Sequence, residues 1–130
     1  MHPNPYRQTS REAFDAYAGK LRNEIPKLND EQVAVGMMKL AALAGDGHTY
    51  LRPAFLTERG QIGIPIMYHA FVEGVFAIAS TPKYKDLLGA QVLRVGDHTI
   101  EEVLSACAPV ASRDNAMGLK VQINTFLRSP

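Results

Sequence analysis

Apolar positions in the first third of the chain recur at helical spacing and predict two consecutive helices. Ser10 can cap the first helix and Pro26 ends it, whereas Asn29 can cap the second and Gly45 follows its last turn. The apolar stripes are Phe14, Tyr17, Leu21 and Ile25 on the first helix, and Val33, Met37, Leu40 and Ala44 on the second. Two amphipathic helices joined by a short link predict a helical hairpin.

The middle of the chain is rich in apolar and β-branched residues and predicts strands. The run HTYLRPAF, residues 48–55, indicates a first strand, and AQVLRV, residues 90–95, indicates a later one that ends at the turn Gly96-Asp97. Between them, IGIPIMYHAF and GVFAIAST predict a β-hairpin in which Gly74 takes a positive φ.

The last third of the chain returns to helical spacing. A short helix carries Ile100 and Cys107 and closes at Pro109, and Ser112 can cap a final helix. These elements predict an α+β fold with an N-terminal helical hairpin, a small β-rich module and C-terminal helices, rather than a repeated βαβ pattern. The expected boundaries are a flexible N-terminus over residues 1–9, a helical segment with the first strand over residues 10–59, the β-rich module over residues 60–109 and a C-terminal helix over residues 110–130.

Composition and charge limit the classes of partner that we expect this chain to bind. The chain is 46% hydrophobic and 21% charged, as in ordinary globular proteins, and its formal charge is only +1. Because the basic residues are scattered, we expect no nucleic-acid partner, and because no apolar run is long enough to span a bilayer, we expect no membrane insertion. The single Cys107 cannot form an intrachain disulfide and is expected to be a small buried apolar residue.

Neither a metal site nor a nucleophile is predicted from spacing. The four histidines include no pair at i, i+4 and the chain has no cysteine pair, so we expect no metal and no cofactor. No serine lies in a G-x-S-x-G elbow, and Cys107 lacks an electropositive setting. His69 is expected to be a half-buried strand residue with one satisfied nitrogen, and His98 a residue of a plain turn.

His48 has two interpretations that local sequence leaves open. It follows the glycine-bounded turn Gly45-Asp46-Gly47, where backbone freedom can aim an imidazole into a cleft, and imidazole titrates near neutral pH. In this interpretation His48 is a general base. In the other, Asp46 accepts backbone hydrogen bonds in the turn and His48 covers the end of the helix.

The stretch RGQIGIPI also has two interpretations. Its glycines could present backbone N–H groups to a peptide carboxylate while the next strand offers its edge to the peptide, which makes Gly60, Gly63, Ile64 and Ile66 candidate peptide-binding residues. A glycine-bearing hairpin without a binding function also fits the spacing.

Four segments taken in order carry a family resemblance. LAALAGDGHTYL, then IGIPIMYHAFVEGVFAIAST, then LLGAQVLRVGDHTIEEV, then SRDN resemble the amino-terminal half of the tail-specific, or C-terminal-processing, serine peptidase family, which includes the tricorn protease core. The resemblance covers residues 10–130, and its most specific part is the D-G-H-T phrase after a helix.

The resemblance implies a role for this chain within a longer enzyme. Residues 60–109 would form a PDZ-like module that recruits polypeptide substrate, and a catalytic domain beyond Pro130 would supply the serine nucleophile and an orienting glutamate. In the tricorn-like branch His48 would be the general base, with Asp46, Gly47 and Thr49 completing its motif. Tricorn-like members can carry a serine where this chain has Gly47. The parent protein would then be a serine endopeptidase, extracytoplasmic by family analogy, and this chain alone would be inactive.

Two other classes of function stay open on the same residues. Relatives that resemble these peptidases bind hydrophobic small molecules such as retinoids, and the apolar segments IGIPIMY and GVFAIA would suit a pocket as well as a core. The third interpretation is a small interaction domain without a site of its own, because fold alone does not define function. Self-association and the choice between His48 and a later lysine as the base are open as well.

Overall fold

The computed structural model describes Tyr6, residues 8–52 and residues 64–128, and these residues form a small α+β fold. The chain divides into two compact units, the first made of Met1–Pro53 with Pro109–Gly118 and the second of Ala54–Ala108 with Leu119–Pro130. The segment 110–130, predicted as one helical element, therefore contributes to both units. No helix in the described part of the chain has the length and hydropathy of a bilayer span.

In the first unit, both predicted helices are confirmed and pack against each other. Helix α1, Arg11–Glu24, begins after Ser10, whose hydroxyl accepts a 3.1 Å hydrogen bond from the Ala13 N–H. Helix α2, Asp30–Ala42, begins after Asn29, which forms a reciprocal capping box with Gln32 at 2.8 and 3.0 Å. The 3₁₀ turn Ile25–Lys27 separates the helices, since Pro26 cannot continue the α-helical hydrogen bonds.

The contact between α1 and α2 depends on a glycine outside the predicted apolar stripe. Gly36 is buried, and a Cβ built on it would lie 2.5 Å from Cδ1 of Leu21, itself 6% exposed. The predicted stripe residue Met37 is instead 40% exposed. The missing side chain of Gly36 thus creates the space that Leu21 fills.

The second unit contains the predicted hairpin. Strands β1, Ile66–Ala70, and β2, Val75–Ser80, pair antiparallel with a bulge between Met67 and Tyr68, and Gly74 has φ 142° as predicted. Residues 89–92 run along the other edge of β2, where the Val92 N–H donates to Val75 O at 2.8 Å. The strand predicted over residues 90–95 is shorter than expected, because only the bridge at Gln91 and the two-residue strand β3, Arg94–Val95, form.

The short ribbon that follows leads into the later helices. Strand β3 pairs with β4, His98–Thr99, across the predicted Gly96-Asp97 turn, in which Gly96 has φ 57°. Helix α3, Ile100–Cys107, begins at a capping box between Thr99 and Glu102. Helix α4 spans Met117–Arg128, and its residues from Leu119 onward belong to the second unit. The core of this unit is made of Ala70, Val75, Ile100 and Ile123, with Tyr68, Val92, Val103, Leu104 and Leu127 packed against it.

Two predicted element boundaries are wrong. Ser112 does not cap the last helix, because α4 begins at Met117, whose N–H donates to Asn115 Oδ1 at 2.9 Å, and Ser112 is only 2% exposed. The strand predicted over residues 48–55 does not form over residues 48–52, the first two of which belong to the turn described below, and residues 53–55 lie outside the described part.

Candidate functional site

The D-G-H-T phrase forms a side-chain-stabilised turn at the end of α2. Gly45 leaves the helix with φ 65°, the left-handed conformation predicted for this position. Asp46 then accepts three hydrogen bonds: the His48 N–H donates to Oδ1 at 3.2 Å, the Thr49 hydroxyl to Oδ2 at 2.7 Å, and the Thr49 N–H to the backbone oxygen at 3.2 Å. These bonds fold the backbone back on itself and explain why no strand begins at His48.

The imidazole of His48 lies beside the carboxylate of Asp46. Nδ1 of His48 is 3.5 Å from Oδ1 of Asp46, and the His48 side chain is 94% exposed whereas that of Asp46 is 15% exposed. His48 therefore does not cover the end of the helix, although Asp46 does organise the turn as the alternative interpretation expected. A carboxylate beside Nδ1 favours the tautomer that carries its proton there, which leaves Nε2 able to accept a proton.

A second carboxylate, from Asp114, completes the cluster. Asp46, His48 and Asp114 each have a nitrogen or carboxylate oxygen within 4.8 Å of the others. Gly47 permits this approach, because a Cβ on Gly47 would lie 2.8 Å from Oδ2 of Asp114. Gln8, within the segment predicted to be flexible, donates from Nε2 to Gly45 O at 3.3 Å and to Asp114 O at 3.2 Å.

Sequence reasoning missed Asp114. It lies in the segment SRDN, which carried part of the family resemblance, but no periodicity or motif spacing links it to the turn at Asp46. The predicted residues Asp46, Gly47, His48 and Thr49 are contiguous in sequence, so their proximity was expected; the contribution of Asp114 and Gln8 was not.

The cluster has a donor set that could bind a divalent cation. One imidazole and two carboxylates suit Zn²⁺ or Mn²⁺ chemically. The arrangement alone does not define a metal site, because exposed groups of this kind often cluster without an ion, and both oxygens of Asp46 already accept hydrogen bonds.

Other candidate groups are less well placed for catalysis. His69 is exposed rather than half-buried, and its ring packs edge-on against Phe71 with centroids 4.5 Å apart. His98 is exposed on β4, with Nδ1 3.9 Å from Glu102 Oε2. Burial raises the pKa of the Cys107 thiol, the opposite of what a reactive thiolate needs. His2 lies outside the described residues.

The predicted peptide-binding stretch is only partly described. Gly60 and Gly63 lie outside the described residues, Ile64 is 48% exposed, and Ile66 is 4% exposed, so the Ile66 side chain offers a peptide no contact. The Ile66 N–H donates to Ile64 O at 2.8 Å, and the Tyr68 N–H donates to Asn124 Oδ1 at 2.9 Å. A peptide adding to β1 would have to displace both bonds.

An apolar groove lies on the second unit. It is a shallow depression, largely open to solvent, of about 500 Å³, and the described residues that line it are Phe71, Glu73, Phe76, Ala77, Ile78 and Gly89. Its wall includes part of GVFAIA, the segment for which the sequence left a pocket and a core as alternatives. Part of this segment is core, since Val75 and Ala77 are buried, whereas Ile78 is 48% exposed and lines the groove.

Comparisons of the chain with protein-family models, with curated proteins and with solved structures find no significant match. Its function is therefore interpreted from its own residues.

Proposed function

We propose that this chain is the amino-terminal part of a serine-type endopeptidase resembling the tail-specific and tricorn-like enzymes, and that His48 is its general base. One observation supports this most directly. Nδ1 of His48 lies 3.5 Å from Asp46 Oδ1 while the imidazole is 94% exposed. A histidine backed by a carboxylate on one side and open on the other is the arrangement that a base acting on an incoming serine requires.

The proposed chemistry assigns each group a role. Nε2 of His48 removes the proton of the serine hydroxyl as the serine oxygen attacks the scissile carbonyl, and His48 then returns the proton to the leaving amine. Asp46 orients the imidazole and stabilises the imidazolium. Asp46 is itself fixed by the Thr49 hydroxyl and the His48 N–H. The proposal thus makes Asp46 the orienting group, in place of the glutamate that the resemblance implied. It keeps residues 60–109 as a PDZ-like module that recruits polypeptide substrate.

The exposure of His48 also bears on how the site is completed. Transition-state stabilisation is strongest where water is excluded, whereas the imidazole of His48 is exposed to water in this chain. We therefore propose that the catalytic domain beyond Pro130 brings the serine and covers His48. The 130-residue chain alone would not hydrolyse peptides.

Reaction with a fluorophosphonate probe tests the proposal. The probe should label the full-length gene product, and His48→Ala should slow labelling and peptide hydrolysis by roughly 10⁴-fold or more, as loss of a triad member does. His98→Ala is the matched control, since His98 is also exposed and lies in the similar sequence Gly96-Asp97-His98-Thr99. Asp46→Asn should lower kcat more than it changes KM. Near wild-type turnover of His48→Ala, with its fold verified by circular dichroism, would exclude His48 as the base.

A second candidate function is supported by the groove. Its lining is mostly apolar, as in sites for hydrophobic small molecules, which supports a non-catalytic module for a hydrophobic ligand or a protein partner. A full-length product without fluorophosphonate labelling that binds an apolar fluorescent ligand, and loses this binding on Ile78→Glu substitution, would favour this candidate over the peptidase.

A further inference from the structure

The outer face of the β1–β2 hairpin is apolar and open to solvent. His69 lies opposite Phe76 in the strand register, Ile78 follows Phe76 at the next position on the same side of β2, and Phe71 follows the end of β1, whereas Ala70, Val75 and Ala77 are buried. Met67 and Phe71 are each 46% exposed and Ile78 is 48% exposed. Isolated exposed apolar side chains are common, but a contiguous set beside a groove indicates a binding surface.

Two aromatic rings form the apolar wall of the groove. The rings of Phe71 and Phe76 meet edge to face with centroids 5.9 Å apart, and the His69 ring packs edge-on against Phe71 with centroids 4.5 Å apart. A pair held in this way presents ring faces and edges in a fixed arrangement. The face of a phenyl ring carries a negative potential that attracts cations.

The described residues that line the groove carry one ionisable side chain, that of Glu73. No ion pair formed within residues 8–52 and 64–128 involves Glu73. The backbone of Glu73 is fixed beside the groove, since Gln91 Nε2 donates to its carbonyl oxygen at 3.2 Å. A carboxylate among phenyl rings complements a cation carried on an apolar stem and disfavours a peptide carboxylate.

We propose that this groove binds an arginine-bearing segment of a polypeptide, with the guanidinium beside Glu73 and its aliphatic stem against Phe71, Phe76 and Ile78. Arginine fits best, because its guanidinium stacks on aromatic rings and pairs with a carboxylate while its methylene stem covers apolar surface. The proposal deepens the proposed function, because it gives the substrate a basic residue away from the cleavage site. Its identification of the segment as substrate rests on that proposed function.

Titration of the ¹⁵N-labelled 130-residue chain with blocked peptides tests the binding directly. Acetyl-Ala-Leu-Arg-Leu-Ala-amide should shift the amide resonances of Phe71, Glu73, Phe76 and Ile78, and the same peptide with glutamine for arginine should bind about fivefold more weakly, the combined effect of one exposed ion pair and one exposed cation–π contact. Glu73→Gln should reduce this preference to the part that the cation–π contact contributes. Glu101→Gln, a change of the same kind on α3, should keep it, and Phe71→Ala should weaken binding of both peptides.

Three outcomes would overturn the proposal: equal affinity for the arginine and glutamine peptides, an unchanged preference in Glu73→Gln, or tighter binding of a peptide with a free C-terminal carboxylate than of its amide. The spectra themselves verify that each variant is folded. Because binding is measured without hydrolysis, this test and that of His48 can fail independently of each other.

Discussion

The carboxylate of Asp114 occupies the space that a side chain on Gly47 would need. A Cβ on Gly47 would lie 2.8 Å from Oδ2 of Asp114, closer than a carbon and a carboxylate oxygen approach without one of them moving. The φ of Gly47 is not in the left-handed region, so the backbone itself would accept alanine. The glycine therefore makes room for the neighbouring carboxylate and is not needed for the conformation of the turn. A serine at this position, as in tricorn-like peptidases, would displace Asp114 from His48.

A double-mutant cycle on Gly47 and Asp114 measures this relationship. Gly47→Ala should be more favourable to stability in an Asp114→Ala background than in the wild-type chain, by about 1 kcal/mol, because the displaced carboxylate is then absent. The free energies of unfolding of the four proteins in urea give the coupling. Coupling indistinguishable from zero would mean that Asp114 moves away without cost.

A second glycine, Gly36, is expected to be intolerant of alanine for a different reason. Its Cβ would lie 2.5 Å from Cδ1 of the buried Leu21, which has little room to move. Overpacking of this kind costs about 1–3 kcal/mol, so Gly36→Ala should lower the free energy of unfolding even though alanine gains about 1 kcal/mol in helix propensity.

The matched control for Gly36 is Gly19 in α1, where a Cβ would meet no atom within 4 Å. Gly19→Ala should raise the free energy of unfolding by about 1 kcal/mol, since helix propensity acts there without a clash. A stabilising effect of both alanine substitutions would contradict the close contact between α1 and α2 at Gly36. In a Leu21→Ala background, Gly36→Ala should lower the free energy of unfolding less than it does in the wild-type chain. The new methyl group then enters the space that the leucine side chain vacates.

The sequence predicted those parts of the fold that depend on local chemistry. Ser10 and Asn29 cap the two helices as expected, because their side chains accept hydrogen bonds from N–H groups only three residues away. Gly74 and Gly96 adopt the predicted turn conformations. The predicted start of the last helix was wrong, because Ser112 is buried, which local sequence does not show, and Asn115 instead accepts the N–H of Met117.

The parts that could not be predicted depend on contacts between distant residues. The β-branched and aromatic residues after His48 favour a strand, but the hydrogen bonds of the Asp46 side chain favour a turn, and the turn forms. Asp114 approaches Gly47 only through the fold of the first unit. Of the candidate site, the turn with Asp46 and His48 was predictable, whereas its second carboxylate was not.

The side chain of Asn124 links α4 to strand β1, and its removal should be costly. Asn124 Oδ1 accepts the N–H of Tyr68 at 2.9 Å in a partly buried setting. Asn124→Ala leaves that N–H without its acceptor, and should lower the free energy of unfolding by about 1–2 kcal/mol. Asn124→Asp keeps an acceptor oxygen and should cost less. Hydrogen exchange at the Tyr68 amide should be faster in the alanine variant alone, and equal exchange in both variants would contradict the role given to this bond.

The half-buried Cys107 predicts a loss of stability at alkaline pH. Burial raises the pKa of its thiol above the ordinary value of 9.0, so on raising the pH the unfolded chain releases this proton before the folded chain does. The contribution of Cys107 is therefore complete below pH 9 and declines as the pH rises through the folded-state pKa. Tyr17 and Tyr68, whose pKa values burial also raises, act in the same direction from about pH 10.

Cys107→Ala should remove the part of the decline that begins near pH 9 and leave the part that the tyrosines cause. Urea unfolding of both proteins between about pH 7.5 and about pH 11 spans the ordinary pKa values of the thiol, about 8.5–9, and of tyrosine, about 10, and measures the difference; parallel stability curves would show that the thiol ionises equally in the folded and unfolded chain.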